Sequence, residues 1–268
     1  MHPMLNSALS VARTAGDLLV RAFDNVDSLK VETKGANDYV TSVDRGLEET
    51  IITGLQKRYP KHGFLAEESG RIAGTDEGQD YLWIIDPLDG TTNFIHGIPQ
   101  FAISIALEVK GQLEVAVVYD PVKKEEFTAT RGRGASLNGK RIRVSNRRGL
   151  QGALLGTGFP FRPDQAKYVE PYINILRTLT QETAGIRRPG AAALDLAWVA
   201  AGRFDGFWEF GLQSWDMAAG ILLIQEAGGL VGDPTGGMSH MDTGNIVCGP
   251  AKVFKALLQV TQPALAKK

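Results

Sequence analysis

Apolar residues recur at helical spacing in several parts of the chain. Near the N-terminus such a face is formed by Leu5, Leu9, Ala12, Ala15 and Leu19. This spacing predicts an amphipathic α-helix. Similar patterns predict helices at residues 47–55, 165–180, 191–201, 216–227 and 251–260. Asp44 is the predicted N-cap of the helix at 47–55, because an aspartate side chain accepts hydrogen bonds from the first free N–H groups of a helix.

Other segments have the alternating or short apolar runs that are typical of β-strands. Residues 101–109 alternate, and residues 113–119 are their predicted hairpin partner across Lys110-Gly111-Gln112. Further strands are predicted at residues 82–85, 126–130, 141–144, 153–157, 204–210, 229–231 and 246–248. The alternation of strands and helices in the second half favours a layered α/β arrangement. We expect one unit over residues 1–268, with a soft subdivision into 1–148 and 149–268.

Composition and charge narrow the class of protein. The 268 residues are 43% apolar and 22% charged, which is enough to bury a substantial core. A formal net charge of −1 gives no electrostatic case for binding nucleic acid directly. No apolar run reaches the roughly 20 residues that a membrane span needs, and no signal peptide is visible. The single cysteine, Cys248, excludes an internal disulfide. We therefore expect a cytoplasmic protein.

The segment from Trp83 to Asn93 is the most informative part of the chain. A short apolar run ends there in two carboxylates, Asp86 and Asp89, with a proline and a glycine that favour a turn. Carboxylates placed together repel each other unless a cation or a proton lies between them, and Mg²⁺ is held by such groups. Thr91 and Thr92 follow Gly90 where a helix could begin and offer N–H groups to a phosphate. The simpler interpretation is a turn with solvated acids.

Two further acidic segments change that balance. Glu67 and Glu68 follow the apolar pair Phe64-Leu65, and Asp216 stands at the start of an apolar helix. Asp216 has a simpler interpretation as a helix-capping residue, but three termini that present carboxylates can also converge on an oxygen-only Mg²⁺ site. The sequence contains no phosphate-binding G-x-x-x-x-G-K-[ST] loop, no G-x-S-x-G and no zinc-ligand spacing.

Three motifs together resemble the inositol monophosphatase family: Glu67-Glu68-Ser69, Asp86 through Asn93, and Trp215 through Gly220. The likeness begins near residues 34–41 and ends near Asn245. Residues 1–5 and 187–196 are similar to the bacterial SuhB-type branch of that family. The resemblance implies a layered α-β-α-β-α sandwich, a lithium-sensitive homodimer and Mg²⁺-dependent hydrolysis of myo-inositol 1-phosphate to inositol and phosphate.

The resemblance also implies roles for individual residues. Glu67, Asp86 and the carbonyl of Leu88 would hold a first Mg²⁺, and Asp86, Asp89 and Asp216 a second, with Glu67 beside a weaker third. Thr91 and Glu67 would position the attacking water, so the implied catalytic residues are Glu67, Asp86 and Thr91. The implied substrate contacts are Leu88, Asp89, Gly90, Thr91, Arg187, Gly190, Ala191, Ala192, Glu209 and Asp216. Ala191 replaces a hydroxyl residue that is usual in the family, and Arg187 has an intersubunit salt bridge as its alternative role.

Two other functions remain open from the sequence. One is hydrolysis of another small phosphate ester, such as a nucleotide 3′-phosphate or a sugar bisphosphate, although Glu209 would repel a second phosphate group. The other follows from the SuhB-like resemblance: transcription antitermination on ribosomal RNA operons, and hence ribosome biogenesis, through contacts with Nus factors and RNA polymerase. The near-neutral charge favours protein contacts over direct RNA binding for that role.

Overall fold

The computed structural model describes residues 2–26, 31–35 and 38–266 of the chain. For residues 31–35 and 38–41 only the backbone is described. Two residues of the family-like segment at 34–41, Ala36 and Asn37, therefore lie outside the described residues. The helices are α1 (Pro3–Phe23), α2 (Ser42–Gln56), α3 (Thr91–Ile95), α4 (Val169–Glu182), α5 (Ala192–Ala200), α6 (Ser214–Glu226), α7 (His240–Thr243) and α8 (Ala251–Ala266). Short 3₁₀ helices lie at Asp76–Gly78 and Pro163–Tyr168.

The strands form three sheets. Their bounds are β1 (Val31–Gly35), β2 (Asp38–Thr41), β3 (Gly63–Ala66), β4 (Gly70–Ile72), β5 (Tyr81–Asp89), β6 (Ala102–Val109), β7 (Gln112–Asp120), β8 (Glu125–Thr130), β9 (Gly134–Leu137), β10 (Lys140–Arg141), β11 (Leu154–Thr157), β12 (Gly185–Arg187), β13 (Gly206–Glu209), β14 (Leu230–Gly232) and β15 (Ile246–Gly249). A two-stranded sheet pairs β1 with β2. An eight-stranded sheet has the order β10-β9-β8-β7-β6-β5-β3-β4, and a five-stranded sheet the order β12-β11-β13-β15-β14.

Helices and sheets alternate as layers. One face of the eight-stranded sheet packs on α1 and α2 through residues such as Ile85 and Ile105. Its other face and one face of the five-stranded sheet enclose α5 and α6. The far face of the five-stranded sheet packs on α4 and α8 around Trp208. Helices that are apolar all round suit this central layer, because both of their sides are buried. The layered α-β-α-β-α sandwich is thus confirmed, and the subdivision near residue 148 stays a prediction.

Most predicted elements are present, and the hairpin predicted across Lys110-Gly111-Gln112 is confirmed, with Gln112 already in β7 and a loop of two residues. Lys110 and Gly111 both have positive φ, as a two-residue hairpin loop of type I′ requires. The strand predicted at 141–144 is wrong beyond Arg141. The N–H of Val144 instead donates to the carbonyl of Ala227, so the chain leaves the sheet there. The helix predicted at 165–180 is divided into the 3₁₀ helix at Pro163–Tyr168 and α4.

Two corrections bear on the site. Asp44 is the third residue of α2 and not its N-cap, because the helix begins at Ser42 directly after β2. The strand predicted to end at residue 85 continues to Asp89. No helix in the described part of the chain is long and apolar enough to cross a membrane.

Candidate active site

An irregularity in β5 places the two aspartates of the central motif. Asp86 pairs with Ser104 and Asp89 with Ala102, so three steps along β5 oppose two along β6. Pro87 lies in this bulge, where the strand needs no N–H donor. The N–H of Leu88 donates to Asp86 Oδ1 at 2.9 Å. Asp86 is only 2% exposed, so the bulge holds a buried carboxylate at a fixed point of the sheet.

Gly90 turns the chain from β5 into α3. Its φ of +94° lies in the left-handed region, and a Cβ there would come within 2.9 Å of the Gln100 carbonyl oxygen. Thr91 then begins α3, and its Oγ1 lies 3.0 Å from the Leu88 carbonyl oxygen and 3.2 Å from Asp44 Oδ1. A hydroxyl carries one proton, so it donates to one of these oxygens at a time and keeps its lone pairs available.

Neighbouring elements bring further carboxylates to this corner. Glu67 directly follows β3, which runs parallel to β5, and its N–H donates to the Ile85 carbonyl at 3.3 Å. Asp89 accepts the N–H groups of Ala192 at 3.2 Å and Ala193 at 2.7 Å, at the start of α5. Asp216 in α6 accepts the N–H of Gln213 at 2.7 Å, which confirms the predicted helix-capping contact.

These residues surround one cavity of about 170 Å³. Its lining includes most of the residues that the sequence singled out: Glu67, Asp89, Gly90, Thr91, Gly190, Ala191, Ala192, Glu209 and Asp216. Asn93 ties two parts of the rim together, because its Nδ2 donates to the carbonyls of Gln100 and Pro189. The arrangement suits a small polar ligand.

Burial and mutual repulsion raise the pKa of the acids around the cavity. Burial is the main cause for Asp86, and the charges of Glu67, Asp89 and Asp216 add to it. Burial also raises the pKa of Asp89, with a further contribution from Asp216, while the N–H groups of Ala193 and Ala192 oppose the shift. The pKa of Glu209 rises to about 8, through burial and then the charge of Asp216. Such shifts mark a place where a proton or a cation is needed.

The donor set fits a hard divalent cation. Glu67, Asp86, Asp89 and Asp216 offer only oxygen ligands, which Mg²⁺ prefers, and their repulsion is what a cation would relieve. Within the described residues, no three His, Cys, Asp or Glu side chains are already arranged as a ligand set. Backbone N–H groups donate to Asp86, Asp89 and Asp216 in this structure.

Three residues of the predicted site lie outside the cavity lining. Asp86 and Leu88 are buried beneath it, 2% and 1% exposed, and the Leu88 carbonyl accepts the Thr91 hydroxyl. Arg187 is exposed on β12, where its Nη1 donates to the Ile186 carbonyl. The neighbouring Arg188 lines the cavity in its place, and its guanidinium lies 5.2 Å from the centre of the Phe161 ring. A choice between adjacent arginines depends on the turn after β12, which the sequence pattern does not specify.

Sequence reasoning also missed two acids. Asp44 was assigned to helix capping, and its contact with Thr91 spans 47 positions of the chain. Asp195 lines the cavity, although its position in the apolar run of α5 suggested only a helix. A charged residue within an otherwise apolar helix was the signal that could have identified it.

Comparisons with known proteins agree with this geometry. The model of the inositol monophosphatase family matches residues 1–266. The Nus factor SuhB of Pseudomonas aeruginosa is 62% identical over 265 residues, which cover 99% of this chain and 98% of that protein. The crystal structure of the extragenic suppressor protein suhB from Bartonella henselae has 48% identity, a TM-score of 0.92 and 99% coverage of both chains.

A structure of inositol monophosphatase from Anabaena (Nostoc) sp. PCC 7120 is also similar, with 35% identity and a TM-score of 0.83. The alignment covers 97% of this chain and 95% of that one. The family is generally metal-dependent, typically on Mg²⁺. A full-length match to the family model, close relatives and the shared layered fold give one conclusion: the chain belongs to the inositol monophosphatase family.

Proposed function

We propose that this protein hydrolyses myo-inositol 1-phosphate to inositol and phosphate with the help of Mg²⁺. The observation that carries the proposal is one cavity lined by Glu67, Asp89, Thr91, Glu209 and Asp216. It combines acids that need a cation, a hydroxyl that can orient water, and an acid suited to ligand hydroxyl groups. Membership of a phosphatase family supports the same reaction class.

The residues that would hold the cation are those whose charges repel one another. Glu67, Asp86 and the Leu88 carbonyl would bind one Mg²⁺, and Asp86, Asp89 and Asp216 a second, with Glu67 beside a third. Bound there, Mg²⁺ would supply Lewis-acid activation of water and charge stabilisation at the leaving oxygen. Asp86 lies beneath the cavity floor, so it would contribute to both sites without contacting substrate.

The remaining steps use the chain's own groups. Thr91 is held by Asp44 and the Leu88 carbonyl, so its oxygen can accept a hydrogen bond from water and orient it, together with Glu67. The N–H groups of Gly90 and Thr91, at the start of α3, would bind the phosphate. Glu209 would accept hydrogen bonds from ring hydroxyl groups, and Ala191 and Ala192 would contact the ring beside it.

The acid at the far side of the cavity bears on the choice of substrate. Glu209 would repel a second phosphate group, which disfavours a sugar bisphosphate more than it disfavours a neutral polyol. Arg188 lines the same cavity and would partly offset that repulsion, so a nucleotide 3′-phosphate remains the alternative substrate. Relative kcat/KM values for the three kinds of ester would rank them.

Phosphate release from myo-inositol 1-phosphate tests the proposal directly. Wild type and Asp86→Asn are assayed in parallel with Mg²⁺ and with EDTA, and circular dichroism checks that both are folded. We expect release by the wild type with Mg²⁺, and none with EDTA or in the variant. Most of the activity surviving in a folded Asp86→Asn protein would refute the metal assignment. No release by folded, Mg²⁺-loaded wild type would refute the phosphatase itself.

We propose transcription antitermination as a second function. The observation that favours it is 62% identity to a protein named Nus factor SuhB. Contacts with Nus factors and RNA polymerase would use the protein surface, and the family's usual homodimer would determine which surface is free. Readthrough on a ribosomal RNA leader, reconstituted with the Nus factors and polymerase of one bacterium, tests it. Equal readthrough with wild type and Asp86→Asn would show a role independent of catalysis, and no stimulation by wild type would exclude the role.

A further inference from the structure

Asp195 is a buried carboxyl group that nothing in the reaction described above uses. It lies in the first turns of α5 and is 1% exposed, yet it lines the same cavity as Glu209. Its Oδ1 atom is buried and has no hydrogen-bond partner among the described residues. A buried carboxyl oxygen without a partner is costly, so its retention calls for a physical reason.

Helix α5 itself offers no reason to place an acid there. Asp195 is the one charged residue between Ala192 and Ala200, in a helix that is enclosed between two sheets. An apolar residue at this position would pack without any desolvation cost. The structural requirement of the layer therefore favours leucine or alanine, and not aspartate.

Nearby donors do not satisfy the carboxyl either. The N–H groups of Ala192 and Ala193, at the start of the same helix, donate to Asp89. The N–H of Asp195 itself donates to the Ala191 carbonyl within the helix. The charge of Arg188 favours the ionised form of Asp195, but among the described residues the two side chains form no ion pair. No hydrogen bond to either carboxyl oxygen of Asp195 is present among the described residues, so the side of the carboxyl that lines the cavity is open to a ligand.

The surroundings restrict the chemistry of that partner. The charges of Glu209 and Asp89 act on Asp195 in addition to burial, and all three raise its pKa. An anionic group would be repelled from this part of the cavity, while hydroxyl groups can donate to carboxylates and accept from a protonated one. Two acids beside each other suit a ligand that presents more than one hydroxyl group.

We propose that Asp195 is a substrate-recognition residue that, with Glu209, binds the hydroxyl groups of a polyol phosphate. The inference rests on the proposed phosphatase function and assigns the selectivity of that site. The acids at the β5 corner would act on the phosphate, and Asp195 with Glu209 would distinguish a polyol from an aromatic or simple alkyl group. Removal of Asp195 should therefore weaken polyol recognition and leave hydrolysis of other phosphate esters nearly intact.

Kinetics on two esters test the proposal. Wild type, Asp195→Ala and Asp195→Asn are assayed with Mg²⁺ on myo-inositol 1-phosphate and on phenyl phosphate, which has no hydroxyl groups. We expect Asp195→Ala to raise KM for the inositol ester by about tenfold or more, and Asp195→Asn by less, since the amide keeps an acceptor. For phenyl phosphate, kcat/KM should change less than about threefold, because the lost hydrogen bond has no counterpart there.

Thermal unfolding separates recognition from a structural role. Asp195→Ala removes an unpaired buried carboxyl, so its midpoint should equal or exceed that of the wild type. Asp120→Asn is the matched control, because Asp120 is fully buried but accepts the N–H groups of Val122 and Lys123 and pairs with Lys123 Nζ at 2.7 Å. This control should lower the midpoint without changing the ratio of kcat/KM for the two esters.

The outcomes distinguish the recognition role of Asp195 from the phosphatase activity itself. If wild type hydrolyses both esters but the Asp195 variants lose activity equally on both, or lose none, the recognition role is wrong and the phosphatase stands. A lowered unfolding midpoint in both variants with unchanged selectivity would show that Asp195 is structural. If folded wild type hydrolyses neither ester with Mg²⁺, the proposed function fails and this inference fails with it.

Discussion

Aspartate side chains are buried both around the cavity and in the turn after β14, but the two regions offer these carboxylates different numbers of hydrogen-bond donors. Asp233, which is 5% exposed, accepts from the backbone of Thr235, Gly237 and Ser239 and from the hydroxyls of Thr235 and Ser239. Beneath the cavity, Asp86 accepts one backbone N–H, and in the cavity lining Asp195 has a buried oxygen that accepts none. Aspartates that are buried to a similar extent thus differ in how many hydrogen bonds they accept.

The pKa shifts follow from this difference. Burial alone would raise the pKa of Asp233, but the hydrogen bonds from Thr235 and Ser239 outweigh it and hold the pKa well below its usual range. Burial and like charges raise the pKa of Asp86, Asp89 and Asp195, because few donors oppose them. A carboxylate whose oxygens all accept hydrogen bonds stabilises a turn. A carboxylate with free acceptor positions can still bind a ligand or a cation.

The largest expected effect is in the cavity. Thr91→Val keeps the shape of the side chain but removes the hydroxyl that Asp44 and Leu88 hold. We expect kcat on myo-inositol 1-phosphate to fall about a hundredfold with little change in KM, because water positioning matters in the transition state. The free energy of unfolding should change by less than about 1 kcal/mol.

Thr128→Val provides the control for that experiment. Thr128 is buried in β8, and its hydroxyl lies 2.8 Å from Ser136 Oγ, outside the cavity. Its substitution should leave kcat unchanged. Equal kcat values for Thr91→Val and wild type would show that the hydroxyl does not orient the water.

The turn after β14 should respond in the opposite way. Asp233→Ala removes the acceptor of five hydrogen bonds, and we expect the free energy of unfolding to fall by about 3 kcal/mol while kcat is retained. Since the folded pKa lies below that of the unfolded chain, the stabilisation is present above the ordinary aspartate pKa and is lost as pH falls through the folded value. Urea unfolding at pH 7 measures the loss, and unchanged stability would show that the hydrogen bonds to Asp233 do not stabilise this turn.

A smaller effect is expected from Glu209→Gln in metal-free protein. The folded pKa of about 8 lies above the ordinary value of 4.5, so ionisation of Glu209 destabilises the fold as pH rises between them. The stability advantage of the variant over wild type should therefore grow by on the order of 1 kcal/mol per pH unit between pH 5 and pH 8. Denaturant unfolding in EDTA at both pH values checks this. A variant that is equally stable at both would indicate that the carboxyl is well solvated.

The smallest effect concerns Li⁺, which the family likeness predicts to inhibit by displacing an Mg²⁺. A monovalent ion offsets less of the repulsion among Glu67, Asp86, Asp89 and Asp216. We expect phosphate release to decrease in tens of millimolar Li⁺. The same concentration of Na⁺ is the control. The loss of stability caused by Asp233→Ala should be the same with and without Li⁺. Full activity in Li⁺ would distinguish this chain from a typical member of the family.

The sequence alone determined the parts of this protein that depend on local chemistry. The periodicity of α1, the two-residue loop at Lys110-Gly111 and the motif around Asp86 and Asp89 all follow from neighbouring residues, because spacing and turn propensity act within a few positions. Three separated acidic motifs also predicted the corner where Glu67, Asp89 and Asp216 line one cavity.

Only the tertiary structure decided what those elements meet. Periodicity shows that a helix face is buried but not which layer covers it, so the position of α5 between two sheets was not predictable, and neither was the place of Asp195 in the cavity lining. The contact of Asp44 with Thr91 and the choice of Arg188 over Arg187 depend on how distant segments pack. Burial then sets the pKa of each acid, because desolvation and the charges of neighbours act through space and not along the chain.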